Sequence, residues 1–409
     1  METARIAFRN LYRQKRRTGL TVSIIAFGVV AVIIFTALAG SFKNMMISQI
    51  TDSMLGHLQV HRSGYVESLD TMPLNLVIEE QHLDQLKKIL GEIKEIEGYT
   101  LRILLATLLS NYADTTNIKL SAIDPASEQL VTPLLPGRIT EGRFLEKGQI
   151  LLPNLVARGL DLGVASEAVV IATNVEGSVN GTSLVVSGIV ETTVGPSGKY
   201  GYIHIDDARE LLRMESLQVS EVAIRLKDAE KLTPVMKKLQ SALKSITDDK
   251  GKPVFEVHPW KALSPFNNIA NMIDLMTIFI QIILVTIVLI SIMNVMLMAV
   301  YERTKEIGTI AAIGTLPGSI MSLFICEGLF LGIAGAAVGN VIGILLVHAV
   351  KIARLTISFG QSDNILLAPQ ISFSTMFYTT IIVIMITLLG AIEPAYKASR
   401  LDPVEALRS

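Results

Sequence analysis

The stretch YERTKEIGTIAAIG, from Tyr301 to Gly314, indicates the architecture of the whole chain. It carries two acidic and two basic residues and lies between two long apolar runs, 275–300 and 320–350. Each run is long enough to cross a bilayer as a helix, since about 20 apolar residues span a hydrocarbon core of about 30 Å. A charged segment that returns at once to the membrane leaves no room for a folded domain. We therefore predict a short turn of helix at the cytosolic surface.

The composition is that of a membrane protein. Half of the 409 residues are hydrophobic, 18% are charged and the mean hydropathy is +0.49, a combination that soluble globular chains rarely show. The net charge of −1 gives no indication of a nucleic-acid partner. The single cysteine, Cys326, excludes an intrachain disulfide.

The first seventeen residues are strongly basic, with six Lys and Arg against one acid, Glu2, and they precede an uncharged run, 18–42. By the positive-inside rule, the N-terminus is cytosolic. A cleaved signal peptide has the same charge pattern, but its apolar core is about 7 to 15 residues long, whereas this run has about 25. We therefore favour an uncleaved membrane helix.

Four apolar runs predict four transmembrane helices, and an even number returns the C-terminus to the cytosol. The predicted segments are a cytosolic start at 1–18, spans at 19–41, 273–300, 319–350 and 372–393, a cytosolic coupling segment at 301–318, a short extracytoplasmic connection at 351–371 and a cytosolic tail at 394–409. Lys351 and Arg354 in the connection fit the positive-inside rule only loosely. The orientation therefore depends mainly on the basic first segment.

The region 42–272 has an ordinary charge density and is large enough for its own core. Short segments rich in β-branched residues and bounded by turn formers predict strands at 56–62, 118–123, 184–190, 201–205, 220–226 and 254–258. Apolar residues at helical spacing predict amphipathic helices over 84–97 and 228–246. The predicted fold is thus a membrane protein with four transmembrane α-helices and a large α+β extracytoplasmic domain between helices 1 and 2.

No catalytic or metal-binding pattern is present: the sequence lacks HExxH, GxSxG and P-loop motifs. His57 and His61 are four residues apart, which on a helix could place both on one metal ion. The segment GHLQVHR alternates as a strand does, and a strand would separate the two by roughly 13 Å. We expect two exposed strand histidines, and no catalytic, metal or cofactor site in this chain.

Glu327 is the one ionisable residue well inside a predicted span. A lone carboxylate in hydrocarbon is costly unless it is partnered. Glu327 therefore either faces the bundle interior, as a contact between moving helices or a substrate-facing group, or lies near the headgroups because the span begins later.

Glycines recur along the same predicted helix at intervals of three and four, which places them on one face: Gly328, Gly332, Gly335, Gly339 and Gly343. A face without side chains admits another helix closely. The alternatives are static packing within one subunit, or a sliding seam or dimer interface.

Several segments together resemble a known permease family. They are ERTKEIGTIAAIG after the second span, the glycines after Glu327, and the tail EPAYKASRLDPVEALRS that starts at Glu393. These segments are similar to the ABC-transporter permeases typified by FtsX, the macrolide exporter MacB and the LolC/LolE-type lipoprotein-release permeases. The stretch that starts at Pro136, PGRITEGRFLEKGQILLPNLVARGLDLGV, is similar to the family's MacB-like periplasmic core, and GHLQVHRSGY, from Gly56, resembles the lipoprotein-release subgroup.

The resemblance implies a mechanical, non-catalytic subunit. Two copies of a separate ABC ATPase would bind ATP and Mg on the cytosolic side. The implied ATPase-coupling residues are Glu302, Arg303, Lys305, Glu306, Gly308 and Gly314, with the C-terminal motif Pro394, Arg400, Asp402 and Pro403 beside them. In the alternative interpretation, the charges only mark the membrane edge and the prolines only stop the fourth helix.

The resemblance also implies a second permease subunit, the same or homologous, in the bacterial inner membrane, with both termini cytosolic and the large domain periplasmic. Release of lipoproteins to a periplasmic carrier ranks first among the implied functions. The alternatives are MacB-like efflux of peptides or drugs with a periplasmic adaptor, and FtsX-like transmission of ATPase motion to a periplasmic partner without transport. A membrane-anchored receptor that needs no ATPase would differ from these in having a dispensable coupling segment.

Overall fold

The chain forms two compact units in its computed structural model, which describes residues 2–191, 198–248, 251–263, 266–353, 356–359, 362–366, 369 and 373–408. The helical unit comprises Met1–Met45 and Met272–Ser409, and the mixed unit comprises Met46–Asn271. Two long helices, α2 (Lys15–Ile50) and α8 (Phe266–Glu302), continue across this division.

The other described helices are α1 (Glu2–Arg13), α3 (Glu80–Glu92), α4 (Pro125–Val131), α5 (Asn154–Gly159), α6 (Ile205–Leu212), α7 (Leu232–Leu243), α9 (Thr304–Ala312), α10 (Pro317–Ile352), α11 (Phe373–Ser399) and α12 (Pro403–Arg408). The described strands are β1 (Leu58–Arg62), β2 (Ile96–Ser110), β3 (Thr115–Ile123), β4 (Ile139–Gly142), β5 (Gln149–Pro153), β6 (Glu167–Thr173), β7 (Val179–Val190), β8 (Tyr200–His204), β9 (Glu221–Leu226), β10 (Phe255–Pro259), β11 (Thr356–Phe359) and β12 (Ser362–Leu366).

Four helices of the described chain are long and apolar enough to cross a membrane. They are Lys15–Leu55, Ala270–Glu302, Pro317–Ile352 and Met376–Ser399. Many of their large apolar side chains face outward; Leu275, Phe279 and Leu345 are each about two-thirds exposed. Helices with apolar outer surfaces of this extent are expected in lipid. The predicted set of four spans is confirmed.

The glycines of α10 are packed against helices of the same chain. A Cβ on Gly332 would lie 2.3 Å from the hydroxyl of Thr387 on α11, and a Cβ on Gly335 would lie 2.4 Å from Ile25 on α2. Gly328 meets α11, while Gly339 and Gly343 meet α2. The stripe therefore serves packing within one subunit, and its own neighbours leave no space there for a second copy.

The described part of the connection between the last two spans contains a small hairpin, in which β11 pairs antiparallel with β12. Lys351 lies in the last turn of α10. Arg354, the other basic residue of this connection, lies outside the described residues.

Strand β2 organises the mixed unit because its two halves pair with different strands of one sheet. Its first half pairs with β9, which continues through β1 to β10, and all of these pairs are antiparallel. Its second half pairs with β3 on one edge and β6 on the other. From there the order β2-β3-β8-β5-β7-β6 closes on itself, and β4 extends from β7. The predicted α+β domain is confirmed, with a ring of six strands beside an open sheet.

The six predicted strands are present as β1, β3, β7, β8, β9 and β10. The predicted helix over 84–97 is wrong at its end, since α3 stops at Glu92 and Ile96 already begins β2. The prediction also missed β2 itself. Its leucine-rich sequence has no strong preference for a strand. Pairing with neighbouring strands on both edges, rather than local preference, makes this segment a strand.

The prediction of two exposed histidines is wrong, because both are buried. Nδ1 of His57 accepts a hydrogen bond from the backbone N–H of Leu226, at 2.9 Å. His61, on β1, lies 3.4 Å from a carboxylate oxygen of Glu221 and stacks on Tyr65. Burial lowers the pKa of His57 below its ordinary value.

A buried ion-pair cluster joins three elements of the mixed unit. Arg102, on β2, donates two hydrogen bonds to Glu128 of α4, at 2.6 and 3.0 Å, and one to Glu221 of β9, at 2.9 Å. Burial disfavours the charge of Arg102, but the two carboxylates outweigh burial and raise its pKa. Burial likewise opposes the charge of Glu221, yet His61 and Arg102 hold its pKa below the ordinary value.

We predict that Arg102→Met destabilises the mixed unit by about 3–5 kcal/mol, because it leaves two buried carboxylates without their cation. Unfolding by urea can be followed through Trp260, the single tryptophan, which is buried in this unit. The matched control is Arg158→Met at an exposed position. An unchanged unfolding midpoint for Arg102→Met would contradict the prediction.

A second prediction concerns the glycine stripe. Gly335→Leu forces α10 away from Ile25 and should lower the melting temperature of the detergent-solubilised chain, because overpacking costs about 1–3 kcal/mol or more. Gly318→Leu, on the same helix, is the control, since nothing lies within 4 Å of a Cβ there. Equal melting temperatures for the two variants would show that the stripe is not a packing surface.

Candidate functional site

The predicted coupling segment is a separate helix between two spans. The helical geometry breaks at Arg303, after α8, and α9 follows. Gly314 has a φ of +94°, in the left-handed region that favours glycine, and it ends the helix. Pro317 then occupies the first position of α10, where a missing N–H costs nothing. The local sequence thus forms a short helix with a defined start and end.

The four charged residues of this segment face in two directions. The side chains of Glu302 and Glu306 are 51% and 58% exposed, and Lys305 is also exposed. The side chain of Arg303 is only 11% exposed. Arg303 therefore does not belong to the outward-facing set, although the sequence grouped all four together.

Arg303 points at Glu327, which is 3% exposed on α10. Nη1 of Arg303 lies 3.1 Å from Oε1 of Glu327, and Nδ2 of Asn10, on α1, donates to the same oxygen at 3.1 Å. The alternative that placed Glu327 in solvent near the headgroups is wrong. A buried carboxylate that meets both a cation and an amide has the partners it needs.

The surroundings of Glu327 are polar and almost filled. A cavity of about 10 Å³ remains, lined in part by Gln14, Arg17 and Thr18. That volume is about the size of one water molecule. Glu327 therefore acts as a fixed contact between α1, α10 and the start of α9, and it has no space for a substrate beside it.

The C-terminal motif forms a capped helix that packs on α9. The side chain of Asp402 accepts from the backbone N–H of Val404 at 2.8 Å, and Pro403 starts α12, which is a favourable first position. A Cβ on Gly308 of α9 would lie 2.5 Å from Cβ of Ala406. Gly308 is thus required for close approach of the tail helix.

The other two residues of the motif act differently from what the sequence suggested. Pro394 does not stop the fourth helix, because α11 continues through it to Ser399. A proline removes one backbone donor, and a membrane bundle tolerates that loss. The guanidinium of Arg400 lies 5.4 Å from the ring centroid of Tyr396, one turn earlier in the chain.

The exposed side of α9 also carries apolar groups that the sequence analysis did not select. Ile313 and Leu316 are 81% and 73% exposed, and Ile310 is 41% exposed. Exposed apolar side chains in the same short segment as exposed charged ones give it the mixed composition of surfaces that bind another protein. The sequence could have indicated them, because they are apolar residues within the predicted cytosolic segment.

In the described ranges, no three His, Cys, Asp or Glu side chains are close enough to hold a metal ion. What the geometry provides is one helix, α9, fixed on its inner sides by Arg303 and Gly308 and open on its outer side.

Comparison with known proteins identifies relatives for both units. Residues 18–242 match the family model described as MacB-like periplasmic core domain, and residues 278–403 match the one described as FtsX-like permease C-terminal. A solved structure of the periplasmic region of MacB from Actinobacillus actinomycetemcomitans is also similar to this chain. The match covers 54% of this chain and 94% of that structure, at 14% identity and with a TM-score of 0.37.

Among curated relatives, the lipoprotein-releasing system transmembrane protein LolC of Neisseria meningitidis is 23% identical over 97% of this chain and 96% of its own length. The macrolide export ATP-binding/permease protein MacB of Bdellovibrio bacteriovorus is 25% identical over 98% of this chain and 60% of its own length. An uncharacterised ABC transporter permease of Methanocaldococcus jannaschii, MJ1507, is 24% identical over half of each chain.

The MacB-like match alone covers more than half of the 409 residues, and the FtsX-like match covers three of the four spans. The order of spans and mixed unit agrees with both matches. The chain belongs to the MacB/FtsX/LolC type of ABC transporter permeases.

Proposed function

We propose that this permease works with a separate ATPase subunit that docks on α9, and that it releases lipoproteins from the bacterial inner membrane. In this proposal both termini and α9 are cytosolic and the mixed unit is periplasmic. Two ATPase copies bind ATP and Mg, and a second permease subunit completes the membrane core. The chain itself makes and breaks no bonds. A receptor that needs no ATPase would give the exposed side of α9 no binding partner.

The proposal depends on α9 being packed on one side and exposed on the other. Its inner sides are fixed by the Arg303–Glu327 ion pair and by the Gly308 contact with α12. Its outer side presents Lys305 and Glu306, and the exposed Glu302 and Ile313 lie just before and just after it. A helix that is anchored on one side and open on the other can receive a movement and pass it on, and charged groups fix the register of docking.

The path of the movement follows from the packing. The Glu327 contact connects α9 to α10, and the glycine stripe connects α10 to α2 and α11. Of these, α2 continues beyond Met45 into the mixed unit. Closure of the ATPases would therefore displace α9, α10 and α2 together, and α2 would carry the displacement toward the periplasm.

The similarity to LolC supports lipoprotein release as the task, because that alignment covers nearly the whole of both chains. The similarity to MacB supports a second candidate, efflux of peptides or drugs with a periplasmic adaptor, because it covers as much of this chain but only 60% of that relative. FtsX-like transmission without transport remains the third candidate, favoured by the match at 278–403.

Crosslinking of the tagged protein in native membranes, with a non-hydrolysable ATP analogue present, tests these candidates. The proposal expects an ABC ATPase together with lipidated proteins or a periplasmic carrier in the mass spectrum. An adaptor with an outer-membrane duct would replace lipoprotein release by efflux. Absence of any ATPase would contradict the proposed function as a whole.

Docking and transmission can be separated by substitution. Lys305→Glu, or Glu302→Ala with Glu306→Ala, should leave the chain folded but abolish recovery of the ATPase, because these groups are exposed at the end of α8 and in the first turn of α9. Lys351→Glu, an equal change of charge at the exposed far end of α10, is the control.

Glu327→Gln should behave differently from the docking variants. It removes the buried carboxylate that faces Arg303 and leaves that guanidinium only the partly exposed Glu306, at 3.4 Å, so the contact between α9 and α10 should weaken. The ATPase should still be recovered, but ATP turnover in membranes should no longer drive release. Full release activity in Glu327→Gln would show that movement does not pass through this carboxylate.

A further inference from the structure

Helix α1 has one face packed in the helical unit and a neighbouring face whose aromatic side chains are more than half exposed. Ala7 is fully buried, and Asn10 holds the helix to Glu327. Phe8 and Tyr12 are 60% and 70% exposed. They are one helical turn apart, so they share one side of α1.

A third face of α1 carries Arg5, Arg9 and Arg13, all exposed and spaced four residues apart. This spacing aligns them along one side of the helix. Among the residues whose side chains the structure describes, which do not include Glu2, no carboxylate oxygen lies within 4.0 Å of any of the three. By contrast, Arg17 has Glu302 at 3.9 Å. The row of three cations therefore has no acidic partner among the described residues.

The position of α1 limits what this row can meet. Only Gln14 separates α1 from α2, which is a membrane span, so the arginines lie at a membrane boundary. A helix with aromatic residues on one side and basic residues on the next has the composition of helices that lie in the membrane interface. The guanidinium group binds phosphate oxygens in a bidentate manner.

We propose that α1 is a binding site for anionic phospholipids of the adjacent leaflet. Arg5, Arg9 and Arg13 hold the headgroup phosphates, and Phe8 and Tyr12 insert at headgroup level. The Asn10–Glu327 hydrogen bond holds α1 against α10, so the three arginines are presented from one side of an anchored helix.

The test uses the full chain in a neutral detergent, titrated with dioctanoyl phosphatidylglycerol, dioctanoyl phosphatidylcholine or inorganic phosphate, with bound lipid counted by native mass spectrometry. The substituted chain is Arg5→Gln with Arg9→Gln and Arg13→Gln. Its matched control is Arg143→Gln with Arg158→Gln and Arg213→Gln, three exposed arginines of the mixed unit.

The wild type should bind phosphatidylglycerol at least tenfold more tightly than phosphatidylcholine, and added salt should weaken this binding. The α1 substitutions should weaken it at least tenfold, since each basic residue at an anionic surface contributes about fivefold. The mixed-unit control should bind as the wild type does. Equal binding of the two lipids, or wild-type binding by the α1 variant, would overturn the proposal.

Inorganic phosphate distinguishes a lipid site from a simple anion site: displacement of the lipid by an equal concentration of phosphate would overturn the proposal. If the α1 variant melts earlier than the wild type, Arg5→Lys with Arg9→Lys and Arg13→Lys decides the question. This variant keeps the charges but loses the bidentate contacts, so it should bind more weakly than the wild type, more tightly than the glutamine variant, and lose the lipid in salt. Binding that is indifferent to salt would overturn the proposal.

Discussion

Burying the Glu327 carboxylate destabilises a membrane helix unless a cation and a donor meet it, and this requirement brings three segments together. Arg303 must turn inward from the break between α8 and α9, and Asn10 must reach across from α1. The other charged residues of the coupling segment, Glu302, Lys305 and Glu306, remain exposed. The division of α9 into an anchored side and an open side is thus a consequence of one buried ion pair.

Close helix packing extends this arrangement through the bundle. The first two glycines of the α10 stripe contact α11, and the other three contact α2. Gly308 of α9 contacts α12 in the same way. Because these positions have no side chain, the helix backbones pack closely, so that displacement of one helix must displace the next. In the mixed unit, β2 has a comparable role, because the open sheet and the ring of strands both depend on it.

Much of this could be predicted from the sequence. The four spans, the mixed unit and six strands follow from hydrophobic runs and β-branched segments, since burial in lipid or on a sheet face selects those patterns. Local patterns did not find β2 or the end of α3, because pairing with distant strands decides both. The direction of Arg303 and the burial of His61 were also out of reach, since each depends on a carboxylate far away in the chain.

The central claim is that α9 is attached rigidly to α10 through Glu327. Spin labels at Thr309→Cys and Ile352→Cys, both exposed positions, in a Cys326→Ser background would report the distance between α9 and the far end of α10. If Glu327 attaches α9 rigidly to α10, the distance between the two labels should have one narrow distribution, and a clearly broader one when Glu327→Gln is added. Equal widths with and without Glu327→Gln would contradict it.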